Sequence, residues 1–98
     1  MVKHATHILI VDDTPTNIEI LLAILEGDYD LSFATSGPKA LELVAKGIKP
    51  DLILLDVMMP GMDGYEVCAA LKADPASRDI PVIFITAKTD PASESQAL

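Results

Sequence analysis

The chain is predicted to be an α/β protein built on a doubly wound parallel sheet, and three observations carry that expectation. Apolar runs of strand length alternate with segments of helical period along the 98 residues. Two of the runs, 8–11 (ILIV) and 52–55 (LILL), are apolar throughout, as strands covered on both faces must be. The joins carry helix starts and chain breakers: Thr14-Pro15, Ser36-Gly37-Pro38 and Lys49-Pro50.

The first strand is expected over 7–12, at the centre of the sheet. Thr14 followed by Pro15 then opens a helix with Ile18, Leu21, Leu22 and Leu25 on one face, and Gly27 ends it. Ile20 and Ile24 fall on roughly the opposite side, so this helix expects a neighbour besides the sheet. Residues 30–35 are shorter and more polar and suit an edge strand. A second helix follows from Ser36-Gly37-Pro38, with Ala40, Leu41, Val44 and Ile48 directed inward. Residues 51–56 (DLILLD) form the third strand. After the loop 57–62, Asp63 with Glu66 three positions on resembles a capping box, opening a helix that runs to about Ala73. Residues 81–86 (PVIFIT) are the fourth strand, and Asp90-Pro91 has the form of one more helix start. Neither a repeat nor a low-complexity segment interrupts this order, and the length leaves room for a single domain over 1–98.

Fifteen acidic against seven basic residues give a formal charge of -8, the wrong sign for contact with a phosphate backbone, so direct nucleic-acid binding through this segment is not expected. The apolar runs are far shorter than the ~20 residues of a spanning helix, which argues against the membrane. The first six residues, MVKHAT, lack an apolar signal core, and the single Cys68 has no partner for an internal disulfide; a cytoplasmic location is expected. Cys68 lies between Val67 and Leu71 on a helical stripe and reads as a small core residue.

In a parallel α/β sheet the carboxyl ends of the strands share one rim, where ligands bind. Asp12 and Asp13 end the first strand, Asp56 the third and Thr86 the fourth, so four side chains from distant positions are expected to converge there. One strand-terminal Asp is usually a turn or cap residue; the set at consistent strand ends is not. Three carboxylates brought together repel, and the common remedies are a hard divalent cation or a raised pKa on one of them. Mg²⁺ suits, since it takes a few oxygens and keeps its waters.

Through 11–13 (VDD), 54–64 (LLDVMMPGMDG) and 85–87 (ITA) the sequence resembles the receiver domains of response regulators in two-component phosphorelay signalling. The resemblance spans the whole chain. It implies a flavodoxin-like sheet of order 2-1-3-4, with the fifth strand and last helix of that family lying beyond Leu98. It implies that Asp56 is the phosphoacceptor, attacking a phosphohistidine of a sensor histidine kinase. Asp13, Asp56 and the backbone carbonyl of Met58 would ligate Mg²⁺, Asp12 would act through metal-bound water, and Thr86 would hydrogen-bond the phosphoryl group. Such a module is a phosphoprotein that switches an effector through an aspartyl phosphate and is not itself an enzyme. Phosphoryl transfer needs an in-line nucleophile and positive charge on the phosphoryl oxygens more than acid-base machinery.

The family also carries a fifth-strand lysine that meets the phosphoryl group. Lys88, two residues after Thr86, does not occupy that place, so slow or no phosphorylation is expected of this chain alone. The alternative is a receiver-like interaction module with impaired phosphorylation. An open edge on the fourth strand, with the face of Ile20 and Ile24, leads to an expectation of self-association as a homodimer or domain-swapped oligomer. A Mg²⁺-dependent phosphohydrolase is disfavoured because Asp56 is followed by Val57 and Met58, with no second acid two residues on. Dinucleotide binding is disfavoured because the first turn reads Asp12-Asp13-Thr14-Pro15 in place of GxGxxG.

Structural roles are expected elsewhere. Met58, Met59 and Met62 read as gap-filling packing, and Gly61 and Gly64 as backbone requirements of a tight loop. His4 and His7 read as exposed or incidental, and Asp28, Asp30, Asp74 and Asp79 as solvated loop charges.

Overall fold

A computed structural model describes residues 6–85 of the chain. The elements run β1 (His7–Val11), α1 (Pro15–Leu25), β2 (Asp30–Ala34), α2 (Gly37–Ala45), β3 (Leu52–Asp56), α3 (Gly64–Ala73) and β4 (Val82–Ile85). The strands form one four-stranded sheet of order β2-β1-β3-β4, every pair parallel. The doubly wound, flavodoxin-like order is therefore present. Thr86 and the helix start at Asp90-Pro91 lie outside the described residues.

Side-chain alternation divides the core into two layers. Leu9, Val11, Ile53 and Leu55 face α2 and α3, packing with Ala40, Val67 and Leu71. Ile8 and Ile10 face α1 and pack with Ile18, flanked by Leu21, Leu22 and Leu25. Neighbouring residues of β1 thus serve opposite layers, which is why the strand has to be apolar throughout. α1 bears out its two-sided pattern: Ile18 is buried, whereas Ile20 and Ile24 are 53% and 66% exposed. Cys68 packs, half-buried, against the larger core.

The caps explain where the helices begin and end. Ser36 accepts from the Lys39 N–H at 3.3 Å to start α2. Asp63 and Glu66 make the full reciprocal box that opens α3, at 2.9 and 3.1 Å. α2 is shorter than its apolar pattern suggests. The Gly47 N–H donates to the Val44 carbonyl and the Ile48 N–H to that of Leu43, both at 3.1 Å, a Schellman closure that stops the helix at Ala45. Ile48, half-buried, therefore lies in the connection and not on the helix, a correction to the periodicity reading.

Several supposedly incidental polar residues are engaged. His7 Nε2 shares a 2.7 Å hydrogen bond with Ser32 Oγ, and the His7 backbone N–H donates to Asp51 Oδ2 at 2.8 Å. Asp30 begins β2 rather than lying in a loop, its N–H donating to the Thr6 carbonyl at 2.9 Å. Asp74 caps the end of α3 and accepts from the Ala76 N–H at 2.9 Å. Lys72 Nζ then donates to the carbonyls of Arg78 and Ile80, at 3.0 and 2.8 Å, pinning the connection into β4. No helix among the described residues is long and apolar enough to cross a membrane.

Candidate functional site

Strand register assembles the site. Val11 pairs with Leu55, so the residues that follow them, Asp12 and Asp56, emerge side by side at the carboxyl ends of adjacent strands. Asp13 follows on the same rim. Carboxylate oxygens of Asp12, Asp13 and Asp56 all lie within 4.8 Å of one another. The sequence-predicted acids are thus together. Thr86, the fourth predicted member, lies outside the described residues.

Burial makes the cluster costly. Asp12 is fully buried and Asp56 is 5% exposed. Asp12 Oδ1 accepts from the Thr14 N–H at 2.9 Å, an Asx turn that leads directly into the Pro15 start of α1. Its other oxygen, Oδ2, is buried with no hydrogen-bond partner. Asp56 Oδ1 accepts from the Met58 N–H at 3.3 Å. The Asp56 carboxyl is pushed up from 3.8 to about 6, mainly by burial and next by the charge of Asp12. The Asp13 charge and hydrogen bond raise it further, while the Met58 N–H works the other way. An orphaned buried oxygen beside two more acids is the environment a hard cation relieves, so this donor set fits Mg²⁺.

The loop after Asp56 walls one side of the rim and leads into α3. Gly61 sits at φ +79°, where side-chain-bearing residues are strained. The Gly64 N–H donates to the Val57 carbonyl at 3.0 Å, and a Cβ on Gly64 would collide with the Asp56 carbonyl oxygen. Both glycines are therefore backbone requirements, for different reasons. The methionines divide: Met59 is buried and Met62 packs on the core, but Met58 is 58% exposed, so its side chain does not fill a gap.

A cleft of ≈ 440 Å³ opens beside the acids, with Asp13, Met58, Pro60, Asp63 and Tyr65 among its walls. Tyr65 was not anticipated. Its ring meets that of Phe84 on β4, centroids 5.0 Å apart and planes tilted by 49°. The available signal was an aromatic residue immediately after the glycine that opens α3.

Comparisons with known proteins agree with this geometry. The family described as "Response regulator receiver domain" matches residues 8–98. The chain is 52% identical over 84 residues to the response regulator PleD of Caulobacter vibrioides, covering 85% of this chain and 18% of that protein. It is 47% identical over 87 residues to a probable cyclic di-GMP phosphodiesterase of Vibrio cholerae, covering 89% of this chain and 20% of that protein. The chain thus spans about a fifth of the length of these curated relatives. Among solved structures, the N-terminal domain of a response regulator receiver protein from Methanoculleus marisnigri superposes with a TM-score of 0.78 at 43% identity, over 92% of this chain and 74% of that one. With the parallel order β2-β1-β3-β4 and the acids gathered on its rim, the chain belongs to the response regulator receiver domain family of two-component signalling.

Proposed function

We propose that this chain is a single receiver unit that accepts a phosphoryl group on Asp56 from the phosphohistidine of a sensor histidine kinase. The observation that carries the reading is the Asp12-Asp13-Asp56 cluster, in which Asp12 and Asp56 are buried and Asp12 Oδ2 has no partner. Asp13, Asp56 and the Met58 carbonyl would hold Mg²⁺ directly, with Asp12 acting through a bound water. When bound, the cation supplies positive charge to the phosphoryl oxygens and offsets the repulsion among the acids. A carboxylate oxygen of Asp56 attacks phosphorus, the P–N bond to the donor imidazole breaks, and the imidazole leaves with that bond's electron pair. The Met58 N–H holds Asp56 Oδ1 in place for this step. Thr86 is proposed to donate to the phosphoryl oxygen.

The acyl phosphate formed on Asp56 alters the rim that an effector domain or protein reads, so the chain acts as a switch and not as an enzyme with turnover of its own. A cytoplasmic location and the absence of direct nucleic-acid contact through this segment belong to the same proposal. Incubation with a small acyl-phosphate donor tests it: slow labelling is expected with Mg²⁺, in keeping with the lack of a residue in the place of the fifth-strand lysine, and it is expected to vanish with chelator and in Asp56→Asn. Equal labelling of that variant overturns the assignment.

We also propose self-association through the β4 side. β4 is an edge among the described residues, and its Ile83 and Phe84 are 50% and 40% exposed. Sedimentation at high concentration that shows only monomer removes this part.

A further inference from the structure

The sheet has a second edge, and it is built differently. β2 ends the sheet opposite β4, and among the described residues it pairs only with β1. The Asp30 N–H donates to the Thr6 carbonyl and the Ala34 carbonyl accepts from the Asp12 N–H, so alternate residues turn their backbone groups toward β1. The peptide groups of Leu31 and Phe33 point outward. Edge strands are commonly blunted by lysine, proline or a bulge, and the strand sequence DLSFA carries no lysine or proline.

Phe33 is 53% exposed and forms a wall common to two cavities. One, of ≈ 240 Å³, lies toward α1 over Pro15, Ile18 and Leu22. The other, of ≈ 250 Å³, lies toward α2 beside Lys39 and Glu42. The two cavities share Phe33 and Thr35 and flank the end of β2 on its two faces, so the outward backbone groups of the edge run into a groove between them whose α1 side is apolar. Its charged surroundings are mainly acidic. Asp28 and Asp30 stand exposed at the start of β2 and Glu19 at the rim of the apolar cavity, while toward α2 Glu42 pairs with Lys46 at 3.8 Å and Lys39 is the one cation among the described residues of the cavity wall.

We propose that this groove binds an extended, cationic segment of a partner protein by strand addition to β2, with an apolar side chain seated in the cavity over Ile18 and Leu22. Charge selects this occupant over a second copy. Pairing two β2 edges brings the exposed Asp28 and Asp30 toward the acids at the same edge of the other copy, a local repulsion that the β4 side does not share. A segment with lysine or arginine flanking its apolar anchor meets those carboxylates instead, while main-chain bonds to Leu31 and Phe33 supply affinity without demanding one sequence. The surface adjoins the phosphoacceptor rim through Pro15 and Ala34 but does not include its acids, because neither cavity is lined by Asp12, Asp13 or Asp56.

The test uses the full chain and three capped synthetic hexapeptides. One has the sequence Lys-Val-Arg-Leu-Lys-Val, the second is the same peptide N-methylated at alternate residues, and the third carries Glu at every basic position. Backbone amide shifts are followed by NMR. The first peptide is expected to perturb the amides of 31–35, and N-methylation to weaken that binding by about tenfold or more, since it removes the ladder bonds. Charge reversal is expected to abolish it. Phe33→Ser, an exposed change that leaves the fold intact, is expected to weaken it by a similar factor. Equal binding of the N-methylated peptide, or shifts confined to the acidic rim around Asp56, overturns the proposal by showing diffuse charge attraction alone. Binding by the Glu peptide overturns it as well.

Discussion

Gly64 packs its α-carbon directly against the main-chain carbonyl of Asp56, and its N–H donates to the next carbonyl, that of Val57, at 3.0 Å. The first residue of α3 is thereby seated on the strand end that carries the proposed phosphoacceptor. This contact ties the loop, the helix start and the carboxylate into one unit.

Gly64→Ala is expected to lower stability by about 2 kcal/mol, because the new Cβ meets backbone that has no rotamer through which to escape. The change should appear as a lower urea midpoint at constant slope. It should also displace Asp56, seen as a loss of labelling by acyl-phosphate donor beyond any loss of folded protein.

Asp63→Ala removes the acceptor of the Glu66 N–H and half of the capping box. The expected cost is about 1 kcal/mol. Urea denaturation checks it, and a stability within error of the parent would mean that α3 is held by its packing alone.

The raised Asp56 pKa makes the metal-free protein respond to pH. A carboxyl at 3.8 when unfolded and about 6 when folded keeps its proton more tightly in the folded state. The stability tied to it is fully present below 3.8 and is lost as pH rises through about 6. A shift of this size corresponds to about 3 kcal/mol at most. Melts in chelator across that range should therefore show the parent losing stability relative to Asp56→Asn as pH rises. Parallel pH profiles for the two proteins would contradict the origin assigned to the shift.

Mg²⁺ should reverse that loss. Saturating cation near pH 7 is expected to raise the melting temperature, with about 2.7 kcal/mol gained at a hundredfold excess over its dissociation constant. Asp12→Asn replaces the buried acid whose Oδ2 lacks a partner, so it should stabilise the metal-free chain and shrink the Mg²⁺ response. A variant that melts lower without metal yet responds fully to Mg²⁺ would remove Asp12 from the site.

By itself the sequence determined the order of elements, the two fully apolar strands, the capping box at Asp63 and the positions of the acids at strand ends. These are local properties, set by periodicity over a few residues and by capping chemistry. It also determined that residues 30–35 would be a shorter, more polar strand of edge character. The sequence already implied a central β1 and the order β2-β1-β3-β4; only the tertiary structure decided the register at which these strands pair, because that is set by packing of whole layers. That choice brings Asp12 level with Asp56 through the pairing of Val11 with Leu55. The burial that orphans Asp12 Oδ2 and lifts the Asp56 pKa follows from the same stacking, as does the end of α2 before Ile48. The methionines show the limit most plainly: three similar residues in one loop divide into buried, packed and exposed, since which of them faces the core depends on how the chain turns between Asp56 and Gly64.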